Sequence, residues 1–169
     1  MPEWVPVPGS VKARLIEAAL HHFEQAGYEA ATVTELASKA GVTTGSLYHH
    51  FGSKLGLYTV VRDDLEKRIT DRIEGAAAAV GGTGRAAARA AILVAFDAAV
   101  RFGTCRLLGE TAPADRPDPV RIALDTTLPR DAGPAAVVLA AAWRAALLEV
   151  SAGTPADTVR RALEFTLSD

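Results

Sequence analysis

Cysteine is nearly absent from this sequence of 169 residues, which contains only Cys105. A single thiol excludes an intramolecular disulfide and fits a reducing compartment. The first residues lack a basic segment followed by an apolar one, so we expect no secretory signal peptide. The most apolar stretch, residues 135–143, is too short to cross a bilayer. We therefore expect a cytoplasmic protein that does not enter a membrane.

An excess of basic side chains is also missing. The chain has 18 Lys and Arg against 20 Asp and Glu, a formal net charge of −2 at pH 7. Residues 1–54 hold four basic side chains against five glutamates, a net charge of −1. This balance provides no bulk attraction to the phosphates of a nucleic acid. Any DNA binding must therefore depend on local geometry.

Catalytic and metal-binding motifs are lacking as well. The chain has no G-x-S-x-G, and Gly81–Gly84 (GGTG) lacks the lysine of a phosphate-binding loop. The histidines occur as adjacent pairs, at 21–22 and 49–50. Adjacent helical residues point about 100° apart, so neither pair can hold one metal ion, and no Cys, Asp or Glu completes a zinc-like set. We expect no enzymatic activity, no metal and no cofactor.

Helical periodicity, in contrast, is present throughout. Apolar residues recur every three or four positions, and no strand pattern appears. This predicts an all-α protein of eight or nine helices. Proline-rich and charged residues at 109–118 predict a loop. The first three predicted helices begin after the capping residues Ser10, Thr32 and Thr43, and the first of them ends at Gly27. The later predicted helices cover about residues 54–80, 85–108, 119–128, 134–151 and 155–167.

The segment GVTTGSLYHHFGSK, residues 41–54, has many hydrogen-bonding side chains for one short helix. A capping box formed by Thr32 and Glu35 begins the helix before it, and Gly41 permits a turn. Two short helices around a tight turn have the layout of a helix-turn-helix. With Leu47 and Phe51 facing inward, the outer side and its flanks are left to Thr44, Gly45, Ser46, Tyr48 and His49.

This outer side suits a DNA groove. Hydroxyl groups bond to base edges and to phosphates. Gly45 removes side-chain bulk, so that backbone can approach a phosphate, and a helix N-terminus attracts phosphate through its unpaired N–H groups. Lys54 adds a positive charge in the first turn of the next helix. The pattern therefore indicates DNA contact.

Residues 19–61, ALHHFEQAGYEAATVTELASKAGVTTGSLYHHFGSKLGLYTVV, resemble the tetracycline-repressor (TetR) family of bacterial transcription regulators. Residues 36–57 follow the family pattern without a gap, and the resemblance covers about a quarter of the chain. It implies an N-terminal three-helix helix-turn-helix domain, joined by a long helix to a helical ligand-binding and dimerisation domain. We expect a flexible arm at residues 1–9, the DNA-binding domain at 10–54 and the regulatory domain at 55–169.

The resemblance also implies a function. Family members are homodimers that bind a palindromic double-stranded DNA operator through two recognition helices, usually as repressors that respond to a small-molecule effector. Carried onto this sequence, the resemblance places Thr44, Gly45 and Ser46 at the major groove and Tyr48 and His49 at phosphates or nearby bases. Three further residues are expected to contact phosphate, namely Thr32, Thr34 and Lys54.

Two further sites are expected in the C-terminal domain. The alanine-rich helix around Trp143 suits close packing between two copies of the chain. The expected interface residues are Leu139, Trp143, Leu147, Val150 and Leu163. The expected effector pocket consists of Leu65, Ile69, Phe96, Val100, Arg101, Phe102, Arg106, Leu107 and Glu110.

Two alternative classes of function stay open. One is a small helical enzyme or binding protein that uses its pocket alone, which the lack of a catalytic set disfavours. The negative balance of residues 1–54 also fits a helical protein-interaction or dimerisation module whose helix-turn-helix is a weak or remnant DNA-binding motif. Salt-dependent binding to a palindrome distinguishes both classes from a regulator.

Overall fold

The structure is a computed structural model that describes residues 7–112 and 116–167. These ranges are helical and contain no strand, which confirms the all-α prediction. The chain divides into two compact units, Met1–Asp64 and Leu65–Asp169, with the division inside the long fourth helix. The helices within the described ranges are α1 (Val11–Ala30), α2 (Val33–Lys39), α3 (Thr44–Phe51), α4 (Lys54–Ala79), α5 (Arg85–Phe102), α6 (Cys105–Gly109), α7 (Pro119–Thr126), α8 (Ala135–Ser151) and α9 (Ala156–Thr166).

Side-chain caps set where the helices of the first unit begin. The Ser10 hydroxyl accepts a hydrogen bond from the amide of Ala13 at 3.2 Å, at the start of α1. Thr32 starts α2 with both halves of the capping box in place. The Thr43 hydroxyl caps α3. Each cap satisfies a backbone amide that has no partner inside its helix.

The core of the first unit is built on α1, which packs against both α2 and α3. Leu15, Ala19 and Phe23 recur four residues apart on α1, and each is 0% exposed. The Tyr58 ring from α4 meets the Phe23 ring edge-on, with 5.0 Å between the centroids. Burial of aromatic rings in such edge contacts stabilises a small core.

The predicted end of α1 at Gly27 is wrong in one respect. Gly27 has φ 78° and ψ 168°, which is not helical, but the helix resumes and ends at Ala30. Glycine adopts a positive φ without the steric cost of a Cβ atom. The chain therefore breaks at the predicted residue and adds three more before α2. Tyr28, just after the break, has its ring centroid 4.8 Å from that of Tyr58.

In the second unit, α8 packs against α5, α6, α7 and α9. Trp143 and Leu147 of α8 are 0% exposed. Arg144 of the same helix donates two hydrogen bonds to the Asp118 carboxylate, at 2.7 and 2.9 Å. Asp118 also caps α7 by accepting from the amides of Val120 and Arg121. One carboxylate thus joins the start of α7 to the middle of α8.

The predicted helix over residues 85–108 is wrong, because two helices occupy this range. The helix α5 ends at Phe102, and Gly103 follows in the left-handed region with φ 63° and ψ 44°. The short α6 then packs against α8. A Cβ atom on Gly109 would lie 2.9 Å from Cγ of Leu148, which shows how closely the two helices approach. The periodic apolar pattern continues across the break and conceals it.

Two predicted irregular segments fall partly outside the described ranges. Residues 1–6 of the predicted arm lie outside them, and residues 7–9 are not helical. Within the predicted loop at 109–118, residues 113–115 lie outside the described ranges, and Gly109 belongs to α6. No helix in the described part of the chain is long and apolar enough to cross a membrane.

Candidate nucleic-acid interface

The helices α2 and α3 form a helix-turn-helix within the first unit. Gly41, with φ 65°, makes the turn after α2. The amide of Val42 donates to the carbonyl of Ala37 at 3.0 Å and closes this turn. Leu36 and Leu47 are both 0% exposed, so one face of each short helix is fixed in the core. The opposite face of α3 is therefore presented to solvent.

The residues predicted for the outer side of α3 occupy it. Tyr48 is 53% exposed, an unusually high value for an aromatic residue. The His49 ring is exposed and lies beside the ring of His50, with 5.1 Å between centroids. Ser46 is half-buried, whereas Thr44 and Gly45 are exposed. The five residues lie on one short helix with Leu47 directed into the core.

The N-terminus of α3 is organised by two hydroxyl groups. Oγ1 of Thr43 accepts from the amide of Ser46 at 3.2 Å and lies 3.0 Å from Oγ of Ser46. The amides of Thr44 and Gly45 have no acceptor among the residues that the structure describes. Helix N-termini with unpaired amides carry partial positive charge and attract anions. This end of α3 can therefore receive a phosphate oxygen.

The structure of the chain itself does not require glycine at position 45. Gly45 has helical backbone angles, and a Cβ atom built there would lie no closer than 3.7 Å to any atom, the nearest being Oγ1 of Thr43. That distance is an ordinary van der Waals contact. Glycine in a helix costs about 0.5–1 kcal/mol relative to alanine. An external surface that approaches the backbone closely would explain this choice.

The hydroxyl of Thr32 is already engaged within the protein. It donates to the Glu35 carboxylate at 2.7 Å and accepts from the Glu35 amide at 3.2 Å. The hydroxyl bond to the carboxylate, a second bond from the Thr32 amide to the same carboxylate at 3.0 Å, and His22 beside it hold the pKa of Glu35 below its usual value. Thr34 is exposed and takes no part in the capping box. Of the two threonines predicted to contact phosphate, Thr34 is therefore the better placed.

Lys54, also predicted to contact phosphate, has partners inside the first unit. Its Nζ donates to the carbonyls of Tyr28 at 2.8 Å and Ala31 at 3.0 Å. The same nitrogen lies 4.2 Å from the centroid of the Tyr28 ring. An ammonium has three N–H donors, so two are used by these carbonyls. The side chain joins the start of α4 to the last turn of α1 and to Ala31, which follows it.

Two residues near this interface were not predicted from the sequence. Nη1 of Arg14 lies 3.4 Å from the carbonyl oxygen of Gly41, at the turn between α2 and α3. Nε2 of His22 lies 3.4 Å from Oε2 of Glu35. Both contacts join α1 to the helix-turn-helix across long stretches of sequence. Only the helical period of α1, which gives the direction of each side chain, could have indicated them.

The residues predicted to line an effector pocket lie in the second unit, and most are packed. Leu65, Ile69, Phe96 and Leu107 are at most 5% exposed. Two others, Arg101 and Phe102, line a cavity of about 460 Å³ together with Arg72, Val94, Asp97 and Ala98. The remaining three residues do not line this cavity. Val100 is half-buried, and Arg106 of α6 forms an ion pair with Glu110, the C-cap residue of that helix.

The predicted dimer interface needs a correction. Trp143, Leu147 and Leu163 are at most 4% exposed within one chain, so their side chains cannot meet a second copy. Leu139 lines a different cavity, and Val150 is half-buried. The exposed apolar residues of α8 and α9 are instead Val137 at 53%, Val138 at 62%, Leu148 at 37% and Phe165 at 82%. The three buried side chains therefore belong to the inner faces of α8 and α9, and the helix that meets a second copy stays a prediction.

Among residues 7–112 and 116–167, no group of three or more His, Cys, Asp or Glu side chains could hold a metal ion. Cys105 is 5% exposed.

Comparison with known proteins supports the helix-turn-helix. Residues 15–61 match the family model described as bacterial regulatory proteins, tetR family. The transcriptional activator FasR of Mycolicibacterium smegmatis is 38% identical over 88 residues, which cover 51% of this chain and 39% of FasR. The transcriptional repressor KstR2 of Mycobacterium tuberculosis is 47% identical over 51 residues, or 28% of this chain and 26% of KstR2.

A solved structure extends the likeness beyond the N-terminal domain. The TetR-like transcriptional regulator LfrR of Mycobacterium smegmatis, in complex with proflavine, has a TM-score of 0.58 over 93% of this chain and 94% of LfrR. Sequence identity is 17%, so this comparison concerns the fold alone. The chain covers well under two thirds of the length of FasR and KstR2.

Proposed function

Because residues 15–61 match the family model of tetR-family bacterial regulatory proteins, we propose that the chain is a transcriptional regulator of this family. It binds a palindromic DNA operator as a homodimer, with one α3 from each copy in the major groove. The observation that carries the proposal is the outer face of α3. Leu47 is fully buried, Thr44, Tyr48 and His49 are exposed, and Ser46 is half-buried.

Different residues of α3 are assigned to base edges and to phosphates. Thr44, Gly45 and Ser46 lie in the first turn, the part of a recognition helix that meets base edges. The exposed hydroxyl of Tyr48 and the ring of His49 suit phosphate oxygens or nearby bases. The amides of Thr44 and Gly45, which have no acceptor in the described part of the chain, favour a phosphate at the helix N-terminus.

The contribution of α2 and α4 is different. Thr34 is exposed and suits a phosphate contact, whereas the Thr32 hydroxyl is engaged with Glu35. We assign Lys54 a positioning role, because its Nζ is bonded to the carbonyls of Tyr28 and Ala31. It keeps the start of α2 at a fixed distance from the start of α4, and thereby supports the orientation of the helix-turn-helix.

The dimer forms, in this proposal, through the exposed apolar residues of α8 and α9. Val137, Val138 and Leu148 lie on α8, and Phe165 is 82% exposed on α9. Large exposed apolar patches mark interaction surfaces in soluble proteins. Two helices from each copy would form a four-helix interface, as in helix bundles. A two-fold dimer matches a palindromic site.

A small-molecule effector completes the proposed function. LfrR, which shares the fold, was solved with proflavine bound. An effector shifts DNA binding only if it binds one form of the dimer more tightly than the other. The relatives include an activator and a repressor, so we propose operator binding without assigning the sign of regulation.

The test is a gel-shift of the purified chain against DNA from upstream of its own gene, followed by selection from random DNA. We expect a discrete shift that requires a palindrome and weakens as salt rises. Selection that yields no palindrome would favour the alternative, a helical interaction module with a remnant helix-turn-helix.

A further inference from the structure

The second unit contains a cavity that the proposed DNA recognition does not use and that adjoins the proposed dimer face. Its volume is about 520 Å³, and its walls come from the start of α5, the segment between α7 and α8, the start of α8 and the end of α9. Ligand pockets in proteins commonly measure about 300–1,000 Å³. It shares no lining residue with the cavity at Arg72 and Phe102.

The cavity wall is mostly apolar and carries positive charge. Ten of its twelve residues are uncharged, and nine of these are Ala, Val, Leu or Pro. The other two are Arg85 and Arg89, and among residues 7–112 and 116–167 no carboxylate lines the cavity. The N-cap of α5 is Gly84, so the start of this helix has no acidic cap. Such a wall suits a molecule with an apolar body and one negative charge.

Arg89 is the residue that makes the cavity selective for charge. It is exposed, and within the described ranges no hydrogen bond or ion pair involves its guanidinium. Other arginines of the unit are committed elsewhere, since Arg144 bonds to Asp118 and Arg160 bonds to Asp97. A guanidinium beside an apolar wall matches a carboxylate in geometry and charge.

The cavity also adjoins the proposed dimer face. Val138 lines the cavity and is 62% exposed, so it belongs to both. Leu139, the next residue of α8, lines the cavity as well. A molecule in the cavity therefore contacts the helix through which two copies of the chain are proposed to meet.

We propose that this cavity binds a small amphipathic carboxylate, held by Arg89, and that its occupancy changes operator affinity through the adjoining face of α8. The proposal that the cavity binds a carboxylate depends on the cavity alone. The proposal that binding changes operator affinity rests on the proposed function.

The binding test uses octanoate as the probe and isothermal titration calorimetry on the purified full chain. Octan-1-ol, which has the same chain without the charge, is the matched ligand. We expect octanoate to bind about tenfold or more tightly than octan-1-ol, because a hydrogen bond to a charged group is worth about 1.5–3 kcal/mol. Arg89→Gln should remove this preference for octanoate and leave octan-1-ol unchanged.

Two further variants serve as controls for charge and for location. Arg130→Gln removes the same charge from an exposed position between α7 and α8 that does not line the cavity. It should leave octanoate affinity within about twofold of the unchanged chain, because Arg130 does not line the cavity and its charge is screened by solvent. Ala132→Leu adds bulk to the wall and should weaken octanoate and octan-1-ol alike. Equal reductions from Arg89→Gln and Arg130→Gln, or absence of octanoate binding, would overturn the assignment.

Gel-shifts with and without octanoate test the regulatory half. The expected change in operator affinity is about fivefold or more, the usual lower range of coupling between sites. Octanoate binding that leaves operator affinity unchanged would overturn regulation through this cavity while the site itself stands. Failure to bind any DNA would instead contradict the proposed function, and the calorimetry would still decide whether the site exists.

Discussion

At the scale of single residues, Leu47 and Gly45 illustrate how α3 separates folding from its proposed role in DNA recognition. Leu47 is 0% exposed and holds the helix in the core. Gly45 has room for a Cβ atom, whose nearest neighbour would be 3.7 Å away. The chain thus accepts a flexible residue in an eight-residue helix without an internal reason. A substitution at Gly45 can therefore be made without disturbing the packing of Leu47 in the core.

Gly45→Ala should stabilise the protein and weaken its DNA binding. The added methyl group fits, so we expect the free energy of unfolding to rise by about 0.5–1 kcal/mol, the usual helical advantage of alanine over glycine. The same methyl group should obstruct close approach of DNA to the start of α3. Urea unfolding and a gel-shift on one preparation measure both effects.

Gly75→Ala is the matched control for this substitution. Gly75 is an exposed helical residue of α4, and a Cβ atom built there meets nothing within 4 Å. It should give a similar gain in stability and unchanged DNA binding. If Gly45→Ala leaves DNA binding as intact as the control does, DNA does not approach the backbone at this position.

Ser46 and Tyr48 should differ in what their substitution changes. Ser46→Ala removes a hydroxyl placed in the first turn, so we expect relaxed base preference at one position of each half-site. Tyr48→Phe removes an exposed hydroxyl expected at phosphate and should weaken binding about equally on any sequence. Binding measured across a set of single-base operator variants compares the two. The same base-independent weakening from both would remove Ser46 from base readout.

Lys54→Met tests whether this lysine positions the fold or binds phosphate. A positioning role predicts lower stability and weaker DNA binding with an unchanged slope of log affinity against log salt. A phosphate-binding role predicts that the slope decreases in magnitude by about 1.8 for the dimer, about 0.9 for each of the two phosphates that lose a neutralising charge. Lys39→Met removes the same charge from an exposed site on α2 and controls for general electrostatics. A shallower slope for Lys54→Met alone would restore the phosphate role.

The partners of Lys54 could not be derived from the sequence. The residues that accept its hydrogen bonds, Tyr28 and Ala31, precede it by 26 and 23 positions. Both acceptors are backbone carbonyls, which every residue has. Spacing therefore gives no sign of them, whereas the resemblance pointed to phosphate. Only the closure of the first unit brings the start of α4 to the end of α1.

At the scale of helices, boundaries marked by capping residues were predictable. Ser10, Thr32 and Thr43 act at short range, through bonds to amides three residues ahead. The end of α5 at Phe102 was not predicted, although Gly103 was visible in the sequence. A lone glycine inside a periodic apolar pattern is tolerated in many helices. Here the close packing of α6 on α8 accompanies the end of α5 at Phe102, and this packing is a long-range contact that the local sequence does not reveal.

Asp118 links two helices, and its variants should separate capping from ion pairing. Asn is as good an N-cap as Asp, so Asp118→Asn keeps the cap of α7 and removes the pair with Arg144. Asp118→Ala removes both and should be less stable than Asp118→Asn by about 1 kcal/mol. Urea unfolding at pH 7 measures the difference. Equal stability of the two variants would mean that the cap contributes nothing.

The same carboxylate predicts a pH dependence. Burial raises the pKa of Asp118, but hydrogen bonds from Arg144 and from the amides of Arg121 and Val120 outweigh it and lower the pKa overall. A depressed folded-state pKa contributes stability above the unfolded pKa, about 3.9 for Asp, and that stability disappears as the pH falls through the folded value. Urea unfolding between pH 7 and pH 3 should therefore show a smaller decrease in stability for Asp118→Asn than for the unchanged chain.

At the scale of the whole molecule, the proposed dimer depends on which face of α8 remains outside. The sequence shows α8 to be rich in Ala, Val and Leu on all sides, so its period does not identify the outer face. Trp143 and Leu147 lie inside, packed within one chain. The four helices that cover α8 determine its inner face, and only the folded unit contains that information.

Val137→Glu should therefore disrupt the dimer. Val137 is 53% exposed on α8, and a glutamate there would place a desolvated charge in the proposed interface. We expect a folded monomer that binds the palindrome weakly. Val80→Glu is the control, because Val80 is 47% exposed after the end of α4 and outside α8 and α9. Light scattering gives the mass of each, and a dimeric Val137→Glu protein would place the interface elsewhere.

Two copies of α3, held in one dimer, should bind one palindromic operator. Fluorescence anisotropy with a selected palindrome, and with the same DNA carrying five extra base pairs between its half-sites, tests this most directly. The insertion rotates one half-site by about half a turn of a helix with about 10–10.5 base pairs per turn. We expect two protomers per palindrome, a salt-sensitive affinity and an affinity at least about a hundredfold weaker after the insertion. Equal affinity for both DNAs would contradict operator binding by a dimer with two fixed recognition helices.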